Sequence, residues 1–277
     1  MQIGSVEFFI VSDGVMHQDA GGVFGLVPRA LWEKVNAPDE QNRVPAALNC
    51  LLLVSQGKKI LIDTGLGEKL NAKQEANFGR EGGSQLLANL AQIGFTPDDI
   101  DLVINTHLHV DHCGGNTRRV AEQIVATFPR AEYWIQKLEW ADAAFPNERT
   151  RATYFAENFQ PLERVRLLEG DTRVTGEIKC VITRGHTRAH QSILIESGGE
   201  KAFYLGDMAG RAVYLERMAW IPAYDVEPLE SLETKRRVRD WAVEENALLI
   251  FEHDPEIVLA RLKKDGERWR VVDAGTR

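Results

Sequence analysis

Ten residues constrain this chain more than any others: Thr106-His107-Leu108-His109-Val110-Asp111-His112-Cys113-Gly114-Gly115. Three imidazoles and one carboxylate fall within six positions. The run follows the apolar Leu102-Val103-Ile104 and precedes a glycine pair, so it reads as a strand end turning into a loop. Imidazole with carboxylate suits a borderline metal such as zinc, and a strand end presents such a fan of ligands rigidly. The bland alternative is a polar turn rich in histidine. The chain has only seven histidines, and three of them are here. A lone histidine on an apolar face is usually a satisfied core residue; a cluster this dense is not explained that way.

Other candidate ligands also sit just past strand-like runs. His186 follows residues 180–183, Asp207 follows 203–205 and His253 follows 248–251. Strands side by side in one sheet bring their C-terminal ends to one rim. His107, His109, Asp111, His112, His186, Asp207 and His253 can therefore converge. Five imidazoles and two carboxylates exceed the needs of one tetrahedral ion and suit two ions a few ångströms apart. Asp63 ends the run 59–63 beside Gly65; it reads either as a support beneath the site or as a cap on its own turn. His190 reads as a group that orients a ligand, His17 as pocket lining, and Cys113 as a small buried residue rather than a thiolate ligand.

The remaining pattern alternates. Strands are predicted at 5–11, 47–54, 59–63, 101–105, 132–135, 165–168, 178–183, 192–195, 202–205 and 248–251, with a tail hairpin at 257–262 and 268–272. Helices are predicted at 84–93 with Ser84 as N-cap, and at 116–127, 149–159 and 231–245, and 138–144 reads as a helix or turn. This order argues for a layered α/β architecture, two sheets face to face with helices outside. No repeat, low-complexity tract or dividing linker appears, so 1–277 reads as a single domain. Residues 20–47, punctuated by Gly21-Gly22, Gly25, Pro28, Pro38 and Pro45, form an arm. It either packs back on the core or serves as a lid or dimer arm.

The net charge of −8 argues against a nucleic-acid partner, because phosphate binding needs a basic stripe. No apolar stretch is long enough to cross a bilayer, and no signal peptide is read at residues 1–10. Three widely spaced cysteines fit a reducing compartment, hence a cytoplasmic protein. Met16, Phe24, Trp32, Phe145, Met218, Trp220 and Ile221 are the candidate walls of an apolar mouth, although each could instead be core.

The motif His107-x-His109-x-Asp111-His112, with distant His186, Asp207 and His253, resembles the metallo-β-lactamase-fold hydrolases. The resemblance runs from Asp63 to His253. It implies an αββα sandwich, two packed mixed β-sheets flanked by helices, with two divalent metal ions: zinc, or iron, cobalt or manganese. By the family pattern His107, His109 and His186 hold one ion, Asp111, His112 and His253 the other, and Asp207 bridges them. Asp63 matches the supporting aspartate. Asp111 and Asp207 are the catalytic carboxylates implied, with hydroxide between the metals attacking an ester or lactone carbonyl and Asp111 shuttling the proton.

Val27-Pro28-Arg29-Ala30-Leu31-Trp32, Asn77-Phe78-Gly79 and Tyr224-Asp225 look like the branch of quorum-quenching lactonases and methyl-parathion-hydrolase-like enzymes. That likeness implies a small lactone or ester substrate and a homodimer, with no nucleic-acid or membrane partner. Two positions depart from it. The family's His-Thr-Pro-Gly-His is here His186-Thr187-Arg188-Ala189-His190. The tyrosine that well-studied lactonases carry three residues after the bridging aspartate is here Gly210, which leaves Tyr224 as a candidate substitute. A phosphotriesterase, an arylesterase or a β-lactamase-type amide hydrolase on the same site is the nearest alternative. A di-iron redox enzyme is more distant, because such proteins carry glutamate where this chain has His109.

Overall fold

The computed structural model describes residues 1–275. Its strands are, in chain order, β1 (Gln2–Ile3), β2 (Val6–Asp19), β3 (Arg43–Ser55), β4 (Lys58–Ile62), β5 (Leu102–Ile104), β6 (Thr117–Val120), β7 (Gln123–Ala126), β8 (Glu132–Gln136) and β9 (Val165–Leu168). There follow β10 (Thr172–Arg173), β11 (Ile178–Ile182), β12 (Gln191–Ser197), β13 (Glu200–Tyr204), β14 (Leu248–Ile250), β15 (Leu259–Asp265) and β16 (Arg268–Asp273). One seven-stranded sheet has the order β1-β2-β3-β4-β5-β8-β9, and the second runs from β10 to β16 in sequence order. Both are mixed. The pairs β4–β5, β5–β8, β8–β9 and β13–β14 are parallel, and the others within these two sheets are antiparallel.

Alternation of side chains along each strand builds three apolar layers. Leu51, Leu53, Ile60, Ile62 and Ile104 of the first sheet meet Ile193, Ile195, Tyr204, Leu248 and Ile250 of the second, forming the layer between the sheets. Cys50, Leu52, Leu61 and Val103 point the other way, under Leu86 and Leu90 of the helix Leu86–Gln92. Phe203, Leu205 and Leu249 face Val238 and Ala242 of the helix Pro228–Glu244. The central strands are covered on both faces, which is why they read as continuous apolar runs rather than alternating ones. The chain thus forms the αββα sandwich expected from its sequence.

Three local readings differ. Residues 116–127 form the β6–β7 hairpin, not a helix. Thr117, Val120, Ile124, Val125 and Thr127 are β-branched and favour strand. The turn residue Ala121 takes φ +52°, a left-handed position with no glycine or asparagine to advertise it. Residues 149–159 contain only turns and a 3₁₀ piece, Ala156–Asn158. Asn147 accepts from the backbone N–H of Arg149 and Thr150, and Thr153 donates to Thr150 O, so polar side chains satisfy groups a helix would have used.

Ser84 is not the cap of the helix Leu86–Gln92. Asp13, from the bulged middle of β2, caps that helix across the fold. Its Oδ1 accepts from Gln85 N and Leu86 N, both at 3.0 Å, and from the Ser84 hydroxyl; Oδ2 accepts from Gly67 N at 3.1 Å. Asp13→Ala is expected to lose about 2 kcal/mol or more, because it removes a cap and leaves buried donors unpaired. Urea unfolding measures it, and Ser84→Ala should cost clearly less.

Residues 20–47 split. Ala20–Phe24 and Arg29–Trp32 are short helices, and the chain enters β3 at Arg43. Phe24 stacks on Trp32 at 5.0 Å and meets Trp220 edge-on at 5.8 Å. These aromatics are anchored in the core, while Leu26 is fully exposed. No helix among the described residues is long and apolar enough to cross a membrane.

Candidate metal centre

The ends of β4, β5, β11, β13 and β14 open on one rim, and every predicted ligand stands there. His107, His109 and His186 offer nitrogens within 4.8 Å of one another; so do Asp111, His112 and His253 with their nitrogens and carboxylate; and so do His107, His112 and Asp207. His186 Nε2 lies 3.0 Å from His109 Nδ1, and His253 Nε2 lies 3.1 Å from His112 Nε2. Asp207 spans both groups. Its Oδ2 is 3.1 Å from His186 Nε2 and 3.4 Å from His112 Nε2, and its Oδ1 is 3.1 Å from His253 Nε2. Asp111 stands slightly farther off, 3.8 Å from His112 Nε2 and 3.7 Å from His253 Nε2.

The outward ring nitrogens are already engaged. His186 Nδ1 is 2.9 Å from Asp225 Oδ1, His253 Nδ1 is 2.8 Å from Ala47 O, and His107 Nδ1 is 3.0 Å from Thr106 Oγ1. His112 Nδ1 lies between two buried carboxylates, 3.2 Å from Asp63 Oδ2 and 3.1 Å from Glu252 Oε1. Such partners set the tautomer and aim the free nitrogen inward. His107 Nε2 is buried with no hydrogen-bond partner. A buried imidazole nitrogen without a partner, among ligand atoms that lie within 4.8 Å of one another, fits a shared cation.

Charge follows the same logic. Burial, then the imidazoles around them, hold His107 and His109 well below the usual histidine range, so both stay neutral and able to bind. Burial disfavours a charged His253, but Asp207 outweighs it and the ring is pushed up to about 9. His186 moves up for the same reasons, with Asp225 adding to Asp207. Burial opposes ionisation of Asp207, yet His253, His186 and His112 hold it well below the usual carboxylate range. The cluster thus draws positive charge, and a metal must displace those protons to bind.

Asp63 adopts φ +57° at the end of β4, a left-handed position that aspartate tolerates better than most residues. Its two oxygens accept from Thr106 N at 2.8 Å and Thr106 Oγ1 at 2.7 Å, just before His107. His190 is a neutral orienting group. Its Nε2 accepts from Asp207 N at 3.1 Å and its Nδ1 lies 2.8 Å from Thr183 Oγ1. Cys113 is a buried free thiol that donates to Leu108 O at 3.2 Å.

Beside the ligands lies a cavity of about 220 Å³. Its lining includes His17, Asn77, Phe78, Val110, Asp111 and Tyr224. The expected apolar walls are elsewhere: Met16, Phe24, Trp32 and Trp220 are core, and Phe145 is an exposed residue in a separate depression. Burial between helices and sheets claimed them first. His17 does line the cavity, with Nδ1 3.1 Å from Gly79 O.

The superfamily model for metallo-beta-lactamases matches residues 44–260. The chain belongs to the metallo-beta-lactamase superfamily. Within it, the chain is similar to an N-acyl homoserine lactonase of Bacillus cereus, 27% identical over 218 residues, which are 75% of this chain and 81% of the relative. A second relative is the N-acyl homoserine lactonase AttM of Rhizobium radiobacter, 27% identical over 183 residues, 63% of this chain and 65% of that one. Among solved structures, a probable metal-dependent hydrolase from Staphylococcus aureus superposes over the whole of both chains with TM-score 0.92 and 31% identity. The dizinc quorum-quenching lactonase AidC shares the fold at TM-score 0.82 and 22% identity, covering 100% of this chain and 97% of its own. The chain is accordingly a metal-dependent hydrolase of this superfamily.

Asp225 carries no local signal for its contact with His186 beyond its place in the lactonase-like Tyr224-Asp225 segment. Glu139 was missed altogether. Fully buried, it accepts from Leu108 N at 2.9 Å, Tyr154 Oη at 3.0 Å and Thr187 Oγ1 at 2.6 Å, joining the two histidine loops. Asp225→Ala is expected to weaken zinc binding about 10- to 100-fold, the usual effect of losing a histidine's outer partner. Competition with a chromogenic chelator reads it; unchanged affinity would mean that the loop alone aims His186.

Proposed function

We propose that this protein is a lactonase that opens an N-acyl homoserine lactone or a related lipophilic lactone by adding water to the ring carbonyl. The observation that carries the reading is Asp207, one carboxylate spanning two groups of imidazoles at the floor of a substrate-sized cavity. The named relatives support the substrate class.

In this reading His107, His109 and His186 would hold one divalent ion and Asp111, His112 and His253 the second, with Asp207 placed between the two groups. The donor set is that of zinc, with iron, cobalt and manganese as the other metals it accepts. Two such ions, when bound, supply Lewis acidity and make water nucleophilic near neutral pH. The protein's own groups do the rest. Asp63, Asp225, Glu252 and the Ala47 carbonyl aim the imidazoles. Asp111 lies on the cavity wall, takes the proton from the attacking water and returns it to the leaving ring oxygen. Phe78, Val110 and Ala152 give the acyl chain apolar contact.

Zinc-loaded protein offered N-hexanoyl homoserine lactone, an aryl ester and a phosphotriester tests the reading. Ring opening, followed by proton release in a pH-stat, is the expected result. Turnover of the phosphotriester or the aryl ester without any lactone opening would replace it with the corresponding activity. The three cysteines, free and buried, support a cytoplasmic location. The exposed Leu26, Leu31 and Val35 of the arm support a homodimer, which sedimentation measures. The same arm is read as part of a single domain.

A further inference from the structure

We infer that the Tyr224 hydroxyl is the hydrogen-bond donor that meets the substrate's carbonyl oxygen, and that Gly22 is the cradle holding it there. The inference rests on the carbonyl-hydrolysing reading above. Two adjoining spaces open on His186 and Asp207, and Tyr224 lines both of them. Three hydroxyls border these spaces. Tyr214 already donates to Val23 O at 2.7 Å, and Thr153 to Thr150 O at 2.8 Å. Tyr224 has no hydrogen-bond partner among the described residues, so its proton alone of the three is free. Arg211 borders the smaller space, but its Nη2 is committed to Pro45 O at 2.6 Å.

The backbone on either side of Tyr224 is fixed. Ala223 N donates to Gly22 O at 2.8 Å, and Arg149 Nη2 donates to Ala223 O at 2.6 Å and Asp225 O at 3.0 Å. The adjacent Asp225 is held against His186. The phenol therefore moves with the metal-facing imidazole rather than with a free loop, which is the preorganisation that stabilises developing charge. Gly22 sits directly beneath the ring. A Cβ there would stand 2.1 Å from the Tyr224 hydroxyl and 2.4 Å from its ring carbon, so any side chain displaces the phenol. Gly210, which borders the smaller space, offers no competing group: a Cβ there would lie 2.8 Å from Asp207 Oδ1 and 3.1 Å from His253 Cδ2. Burial, then Asp111, Asp19 and Asp207, push the phenol up to about 12, so it remains a donor at any working pH.

Three variants test this. In zinc-loaded Tyr224→Phe, kcat for lactone opening should fall about a hundredfold, the scale of losing one oxyanion donor. KM should stay within about threefold, because the contact strengthens in the transition state. Zinc content and melting temperature should be those of the parent. Gly22→Ala, whose backbone conformation alanine adopts freely, should lose kcat in the same direction, and the double variant should lose no more than Tyr224→Phe alone. Gln18→Ala is the control, since that amide also borders both spaces. Tyr224→Phe with kcat within about twofold of the parent, additive losses in the double variant, or a loss found in Gln18→Ala instead would overturn the inference. If the parent hydrolyses neither lactone nor ester, the function reading fails separately. Calorimetric binding of N-hexanoyl homoserine to the zinc-loaded proteins then decides: affinity about fivefold weaker in Tyr224→Phe keeps the donor role, and equal affinity overturns it.

Discussion

Asp207→Ala should bind fewer than two equivalents of zinc and turn over about a thousandfold more slowly or worse, beyond the 10- to 100-fold effect of losing an outer partner. The reason is geometric and electrostatic together. Among the described residues, Asp207 is the side chain whose two oxygens reach histidines of both groups, at 3.1 Å and 3.4 Å from His186 and His112 and at 3.1 Å from His253. It is also the negative charge at the centre of five buried imidazoles. Without it, two dications would share neutral ligands and Asp111 alone, in a site that water reaches poorly. The same substitution removes the group that holds His253 at about 9. The metal-free variant should therefore release fewer protons when titrated with zinc at neutral pH. Metal analysis after dialysis, joined to steady-state kinetics, checks both halves. Two retained equivalents with turnover within about tenfold of the parent would remove Asp207 from the bridging position.

The second large effect separates binding from chemistry. Asp111→Asn should keep two equivalents of zinc yet lose about 10²- to 10⁴-fold in kcat, the range for losing a positioned acid–base group. Asp111 stands 3.7 Å and 3.8 Å from the nearest histidine nitrogens, farther than Asp207 does, and it faces the cavity. A carboxamide keeps one oxygen for a metal but cannot carry a proton from attacking water to leaving oxygen. The loss should shrink for an aryl ester, whose phenolate leaves without protonation. An equal loss on lactone and aryl ester would remove Asp111 from protonation of the leaving oxygen.

Together with the Tyr224 variants, these two substitutions divide the site into distinct tasks. In the proposed mechanism Asp207 would gather the cations, Asp111 would move the proton, and Tyr224 would meet the oxygen on which charge develops. Asp13 and Asp225 act at one remove. One caps the helix beneath β2, and the other holds His186 and the backbone next to Tyr224 in a single unit.

The sequence by itself determined which side chains gather at the site, and the sandwich. His107 to His112 are close in the chain, and His186, Asp207 and His253 each follow an apolar run, so strand period and strand ends were enough to place them on one rim. Apolar runs also specified both sheets, because burial on two faces writes itself into consecutive residues. The tertiary structure decided what depends on partners distant in the chain. Residues 116–127 became a hairpin because their β-branched residues pair across a left-handed Ala121 that no local signal marks. Asp13 caps a helix more than seventy residues away, and no local spacing shows such a bond. Phe24, Trp32 and Trp220 are as apolar as any pocket wall, and only packing showed that they face one another instead of the substrate. Hydrophobic periodicity is local and legible; which buried donor meets which buried acceptor is set by the whole chain's closure.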